Sequence, residues 1–165
     1  MSFVAILMGS ESDWPVMQNA SETLKKLGIK FEVRITSAHR TPEATMEYVS
    51  DAQHRGCAAF ICGAGMAAHL AGAVAAHTVR PVIGVPMNAS LDGLDALLST
   101  VQMPAGIPVA TVAVGKAGAR NAAYLAAQMI ALADSKLRDR LVADREENRA
   151  KVQSQNSRLQ AEIGE

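Results

Sequence analysis

A histidine and an arginine stand side by side in the segment Ser37-Ala38-His39-Arg40-Thr41-Pro42. Histidine titrates near neutral pH and can take or give a proton. Arginine presents a planar fork of donors suited to phosphate or carboxylate. Either could be an ordinary surface side chain, but a His-Arg pair in a short connection is chemically loaded. A second segment, Gly9-Ser10-Glu11-Ser12-Asp13, combines a glycine for a tight turn with two hydroxyls. It precedes a helix whose N–H groups favour an anion. Asp13 reads either as a helix cap or as an acceptor for sugar hydroxyls. In a third, Gly63-Ala64-Gly65-Met66-Ala67-Ala68-His69, two glycines let backbone approach a ligand closely. The third glycine and later acidic residue of a dinucleotide fingerprint are missing, so that reading is rejected. Gly84–Asn88 and Asp92–Asp95 come later, and the turn-rich Gln102–Pro108 reads as a loop expected near the same crevice.

Other chemistries find little support. The serines of these segments have no recognisable base and orienting partner, so no nucleophile triad is expected. No HExxH, paired CxxC or Asp-rich loop is present, so no metal is expected. Cys57 and Cys62 are too few for a disulfide framework, and Cys62 lies in an apolar run as a small buried hydrophobe. The formal net charge is zero, with 16 basic and 16 acidic side chains, which argues against nucleic acid and anionic membrane as partners. Any bound anion must be held by a local site. Phe3–Met8 is too short to span a bilayer or to form a signal-peptide core, so a cytoplasmic location is expected.

These segments have to be positioned by regular elements. Apolar runs at Phe3–Met8, Ala58–Cys62, Pro81–Val85 and Val109–Val114 read as buried strands, and the half-polar Phe31–Thr36 as a strand nearer an edge. Between them, helical patterns cover Asp13–Leu27, Pro42–Arg55, Met66–Thr78, Leu94–Val101 and Ala117–Ala133. Alternating strands and helices imply right-handed βαβ units and a parallel sheet covered on both faces. The expected fold is a flavodoxin-like three-layer αβα sandwich with strand order 2-1-3-4-5 and a ligand crevice at the carboxyl ends of the strands. Asp13 before Trp14-Pro15, and Thr41 before Pro42-Glu43, read as helix starts. Gly28 and Gly56 sit where the first two helices should stop.

A chain of 165 residues, 49% of them hydrophobic, is a comfortable single domain and should bury roughly 70% of its unfolded surface. The catalytic domain is expected over residues 1–134, because the character changes at Ser135. From Lys136 to Ile163 the chain is charged, with a thin apolar stripe at Leu137, Leu141, Val152, Leu159 and Ile163. Residues 135–165 read equally as a solvated tail or as a helical arm packed on a neighbouring subunit.

Taken together, GSESDW, SAHRTP, GAGMAAHLAG, GVPM and VQMPAGIPVAT resemble the bacterial N5-carboxyaminoimidazole ribonucleotide mutases, the family of the phosphoribosylaminoimidazole carboxylase catalytic subunit. Each motif is modest, but together, in order from Val4 to about Ala133, they are specific. The resemblance implies a flavodoxin-like subunit, a homo-octamer, no cofactor or metal, and a C-terminal arm that contacts neighbours. It implies that Ser10, Asp13 and Arg40 bind the ribose phosphate of a small ribonucleotide, with Ser12 and Ser37 assisting. His39 would carry the proton, and Gly63, Ala64, Gly65 and His69 would line the pocket for the carboxyl group. Two departures stand out. Met66 and Ala71 occupy positions where the family more often has glycine and proline, and Met87–Leu94 is about one residue short. The implied reaction moves a carboxyl group from the exocyclic nitrogen of an aminoimidazole ribonucleotide to ring carbon C4. Three alternatives stand beside it: a sister carboxylase using free carbon dioxide, a flavodoxin-like nucleotide-binding module without catalysis, and an oligomeric scaffold. The carboxylase branch typically carries lysine after the histidine, where this chain has Arg40.

Overall fold

Burial decides where the strands lie. The computed structural model describes residues 2–164, and every residue of β1 (Phe3–Met8) is buried. On either side of it lie β2 (Phe31–Ile35) and β3 (Cys57–Ala64), followed outward by β4 (Val82–Pro86) and β5 (Ala110–Thr111). All pairings are parallel, in the order β2-β1-β3-β4-β5. The chain therefore leaves β1 toward one edge and returns past it to build the other, which creates a crevice beyond the carboxyl ends of β1 and β3. Met8 pairs with both Ile35 and Gly63, so three strands end level and deliver their loops to one place.

Two sets of side chains alternate across the sheet, as the strand period requires. On one face Ala5 and Leu7 of β1 and Phe60 and Cys62 of β3 pack with Val49 and Ala52 of α2 (Pro42–His54) and with Leu70, Ala71 and Val74 of α3 (Leu70–Ala75). On the other, Gly63 faces Met17 of α1 (Trp14–Lys26). The small residues Ala119, Ala122, Ala123 and Ala126 give α5 (Lys116–Ala131) a buried face with helical spacing. Between β4 and β5 runs α4 (Leu94–Val101), seated closely because Gly84 has no side chain. A Cβ there would stand 2.3 Å from Thr100 Cγ2. The expected fold and strand order are therefore those observed, with helices on both faces.

Several boundaries differ from expectation. The third helix, expected over Met66–Thr78, spans only Leu70–Ala75. Met66 has φ 55°, in the left-handed region, and Ala68 N–H is bonded to Ser99 rather than to a helical carbonyl. β5 is reduced to Ala110–Thr111 because beyond it the pairing gives way to single bonds from Val112 N to Gly84 O and from Gly115 N to Pro86 O. Asp13 does not cap α1. Ser10 caps a short 3₁₀ turn at Glu11–Asp13, and the Asp13 carboxylate reaches back to accept from Ser10 N. Thr41 precedes α2 without a side-chain cap bond, its hydroxyl accepting from Ser37 N instead. Gly28 and Gly56 have positive φ at the ends of α1 and α2, as expected of helix stops.

The chain divides into two compact units that part between Ala127 and Gln128, inside α5 and ahead of the composition change at Ser135. The second unit is dominated by α6 (Ser135–Ile163), whose 29 residues make a rod roughly 43 Å long. Asp134 caps it by accepting from Leu137 N at 3.0 Å. Of its residues only Leu137 and Asp144 are buried, and Glu147–Lys151 and Glu146–Arg149 pairs lace its surface.

Candidate functional site

The three chemically loaded segments meet. Gly9–Asp13 follows β1, Ser37–Arg40 follows β2 and Gly65–His69 follows β3, and together they line a cleft of about 560 Å³. Ser10, Ser12, Asp13, Ser37, His39, Arg40, Ala64, Gly65 and His69 all face it. Gly63 does not. It lies within β3, buried, and a Cβ there would stand 2.5 Å from both Met17 Sδ and Met87 Cε. Its missing side chain serves packing beneath the cleft. Of the loop after β4 only Ala89 reaches the lining, and Gln102–Pro108 contributes nothing to it. Met103 of that stretch packs instead against Gly72 of α3. Met66, within the loop expected to line the pocket, also lines the cleft, with 62% of its surface exposed.

Hydroxyls shape the loops. Ser12 N–H donates to Ser10 Oγ at 3.3 Å, and Arg40 N–H donates to Ser37 Oγ at 3.1 Å. Thr41 N–H donates to Ser37 O, closing the turn that presents His39 and Arg40. Two longer contacts then tie the loops to each other. Arg40 Nη2 donates to Gly9 O at 2.9 Å, joining the second loop to the first. His39 Nε2 lies 2.8 Å from His69 Nδ1, joining the second to the third, with the rings edge-to-face at 84°. That contact holds one proton between two nitrogens. It leaves His39 Nδ1 and His69 Nε2 for other partners.

The sequence matches the AIR carboxylase family over residues 3–151. The chain belongs to this family. An N5-carboxyaminoimidazole ribonucleotide mutase of Mycobacterium tuberculosis is 52% identical over 98% of this chain and 92% of that protein. A protein of the same name from Saccharolobus solfataricus is 51% identical, covering 98% of this chain and all of its own length. Among solved structures, the crystal structure of Treponema denticola PurE superposes with a TM-score of 0.83 at 31% identity, covering 96% of this chain and 99% of the other. The AIR carboxylase match continues past Asp134 into α6, so the family's shared sequence does not stop at the composition change.

In this member of the AIR carboxylase family, Asp13 is the cleft's perturbed acid. Burial pushes its carboxyl above the ordinary value of 3.8, against the opposing pull of the Ser10 and Gly9 backbone N–H groups. A raised carboxylate destabilises the folded state once ionised, so stability falls as pH climbs from 3.8 through the raised value. Asp13→Asn keeps an acceptor for Ser10 N and removes that charge. Thermal melts should therefore give the variant an unchanged Tm near pH 3.5 and an equal or higher Tm at pH 7. A loss of Tm confined to pH 7 would contradict this account. Among the described residues, no three His, Cys, Asp or Glu side chains come together in a way that could hold a metal ion.

Proposed function

We propose that this chain is an isomerase of purine biosynthesis that converts N5-carboxyaminoimidazole ribonucleotide into 4-carboxyaminoimidazole ribonucleotide within one closed site. The observation that carries the reading is the presentation of His39 beside Arg40 over a cleft, with His39 bonded to a second histidine. The names and high identity of the relatives support it. In the first step the N–CO2 bond breaks, releasing carbon dioxide while the exocyclic nitrogen takes a proton from His39. Ring carbon C4 then attacks carbon dioxide, and the C4 proton returns to His39 as the ring regains aromaticity. Protons balance, and one histidine serves both steps. His69 supports His39 by keeping one ring nitrogen in a fixed bond and by sharing the proton between turns.

Arg40, Ser10 and Asp13 hold the ribose phosphate in this scheme, with Ser12 and Ser37 lining the same wall. Remote binding of the phosphate orients the imidazole against His39. Retaining carbon dioxide beside C4 instead of losing it to solvent is worth up to ~7–11 kcal/mol of barrier. The Ala64–Gly65 backbone, with His69 at its edge, is the wall available for that task.

The competing reading is a carboxylase that takes carbon dioxide from solution. Arg40 favours the mutase, because two parallel donors hold an anion differently from the compact charge of a lysine. Turnover of the unlabelled N-carboxylated nucleotide in labelled bicarbonate separates the two. Product with almost no label is expected. Product that reaches the label content of the medium would give the site to the carboxylase. The same proposal includes the cytoplasm as the compartment and a homo-octamer as the working form. Among the described residues no helix is long and apolar enough to cross a membrane. The octamer draws support from apolar side chains left exposed on α4 (Leu94, Leu98, Val101) and on α6 (Val152, Leu159, Ile163). Light scattering of the full chain should give eight times the subunit mass of 17.4 kDa, and a monomer would dismiss that form.

A further inference from the structure

The segment that delivers His69 has little structure of its own. Between the end of β3 at Ala64 and the start of α3 at Leu70, the chain turns through the left-handed Met66 and a single bond from His69 N to Ala67 O. What holds it comes from α4. Ala68 is buried, and its N–H donates to Ser99 Oγ at 3.0 Å. The Ser99 hydroxyl in turn donates to Asp95 O, one turn back in its own helix, at 2.7 Å. Met66 O and Ala96 O lie farther from the same hydroxyl, each at 3.3 Å, and an oxygen lone pair is left to accept from Ala68. The next residue, Thr100, is buried and places its Oγ1 3.4 Å from Ala68 O and 2.7 Å from Ala96 O. Ala68 is thus gripped at both backbone groups by consecutive residues of a helix that does not line the cleft. The grip inherits its position from the sheet, because Thr100 packs over Gly84 of β4.

We infer that Ser99 is a positioning residue for the proton-transfer pair: by fixing Ala68 it sets the height and turn of His69, so that Nδ1 meets His39 Nε2. This rests on the reading of His39 as the proton carrier. Ser99 touches neither ring. Its effect passes through one peptide unit, from Ala68 N–H to the adjacent His69. A buried N–H that loses its acceptor seeks another, and here the residues free to move are the ones that carry the ring.

The test uses the full chain with Ser99→Ala and Ser99→Thr, the second retaining a hydroxyl at the same point. Long-range proton–nitrogen NMR of the histidine rings in the ligand-free protein reports the tautomers of His39 and His69. One fixed tautomer for each ring is expected in the parent and in Ser99→Thr, and a mixture in Ser99→Ala. In turnover, Ser99→Ala should lose about tenfold to a hundredfold in kcat with KM nearly unchanged, and Ser99→Thr should recover most of it. If Ser99→Ala does not fold, Ser99→Cys, similar in volume but a poor acceptor, is read by the same criteria. Parent-like ring signals together with parent-like kcat in a folded Ser99→Ala or Ser99→Cys would overturn the inference. A parent protein that fails to convert the N-carboxylated nucleotide would instead sink the proposed function, while the ring signals would still decide whether Ser99 positions the pair.

Discussion

His39→Asn is expected to abolish turnover while leaving the fold and nucleotide binding nearly intact. Asparagine keeps an N–H that can reach toward His69 Nδ1, so the tie between the second and third loops has a substitute. What it lacks is a group that gains and loses a proton near neutral pH. A positioned general acid or base contributes about 10²–10⁴-fold, and in the proposed scheme the same ring acts at both nitrogen and C4. A fall of at least ~10³ in kcat is therefore expected. The side chain is exposed, so its loss leaves no cavity and the melting temperature should stay close to the parent's. Calorimetric binding of the substrate should remain within a few-fold. Retention of more than about a tenth of the parent turnover would remove His39 as the sole carrier.

Gly118→Ala should be the most damaging single methyl group in the fold. A Cβ on Gly118 would stand 1.6 Å from Ala113 O and 2.6 Å from Ala113 C, both backbone atoms. Neither side can yield alone. The 112–115 segment is pinned by Val112 N to Gly84 O and by Gly115 N to Pro86 O, and Gly115 turns through φ 79° to start α5. Relief requires lifting the first turns of α5, and with them Ala119 and Ala122, which are fully buried. Alanine gains about 1 kcal/mol over glycine in helix propensity, but overpacking against backbone costs about 3 kcal/mol or more. The net loss should lower Tm by several degrees, at roughly 2–4 °C per kcal/mol for a chain of this size. Thermal and denaturant melts measure it directly. An unchanged or raised Tm would mean that the helix start is softer than its hydrogen bonds imply.

The sheet is legible in the sequence because parallel strands buried on both faces leave unbroken apolar runs, as at Phe3–Met8. The cleft is legible for a related reason: reactive side chains with no place in the core, such as His39 and Arg40, sit just past the end of a strand. What stays hidden depends on partners distant in the chain. The alanine-rich stretch from Met66 has every local reason to be helical, and only Ser99, 31 positions away, reveals where the Ala68 N–H goes. Gly63 reads like a pocket residue because a glycine can serve a ligand or a neighbour equally, and nothing local says that Met17 and Met87 fill the space above it. The shared job of Ser10 and Asp13 is masked by the proline at the second position of α1, which draws the expected cap one turn too late.

Arg40 enters the ligand-free state already committed to a direction. One of its five N–H groups is bonded to Gly9 O, so the long side chain does not sweep the solvent it is exposed to. A free arginine gives up as much as ~2 kcal/mol of rotamer entropy when an anion immobilises it. If Arg40 holds the phosphate as proposed, part of that loss has been transferred from the encounter with the ligand to the act of folding. The carbonyl of Gly9 therefore works as a rehearsal partner, holding the guanidinium over the cleft before any anion arrives. In the proposed scheme the phosphate therefore meets an arginine whose direction was set when the first two loops came together.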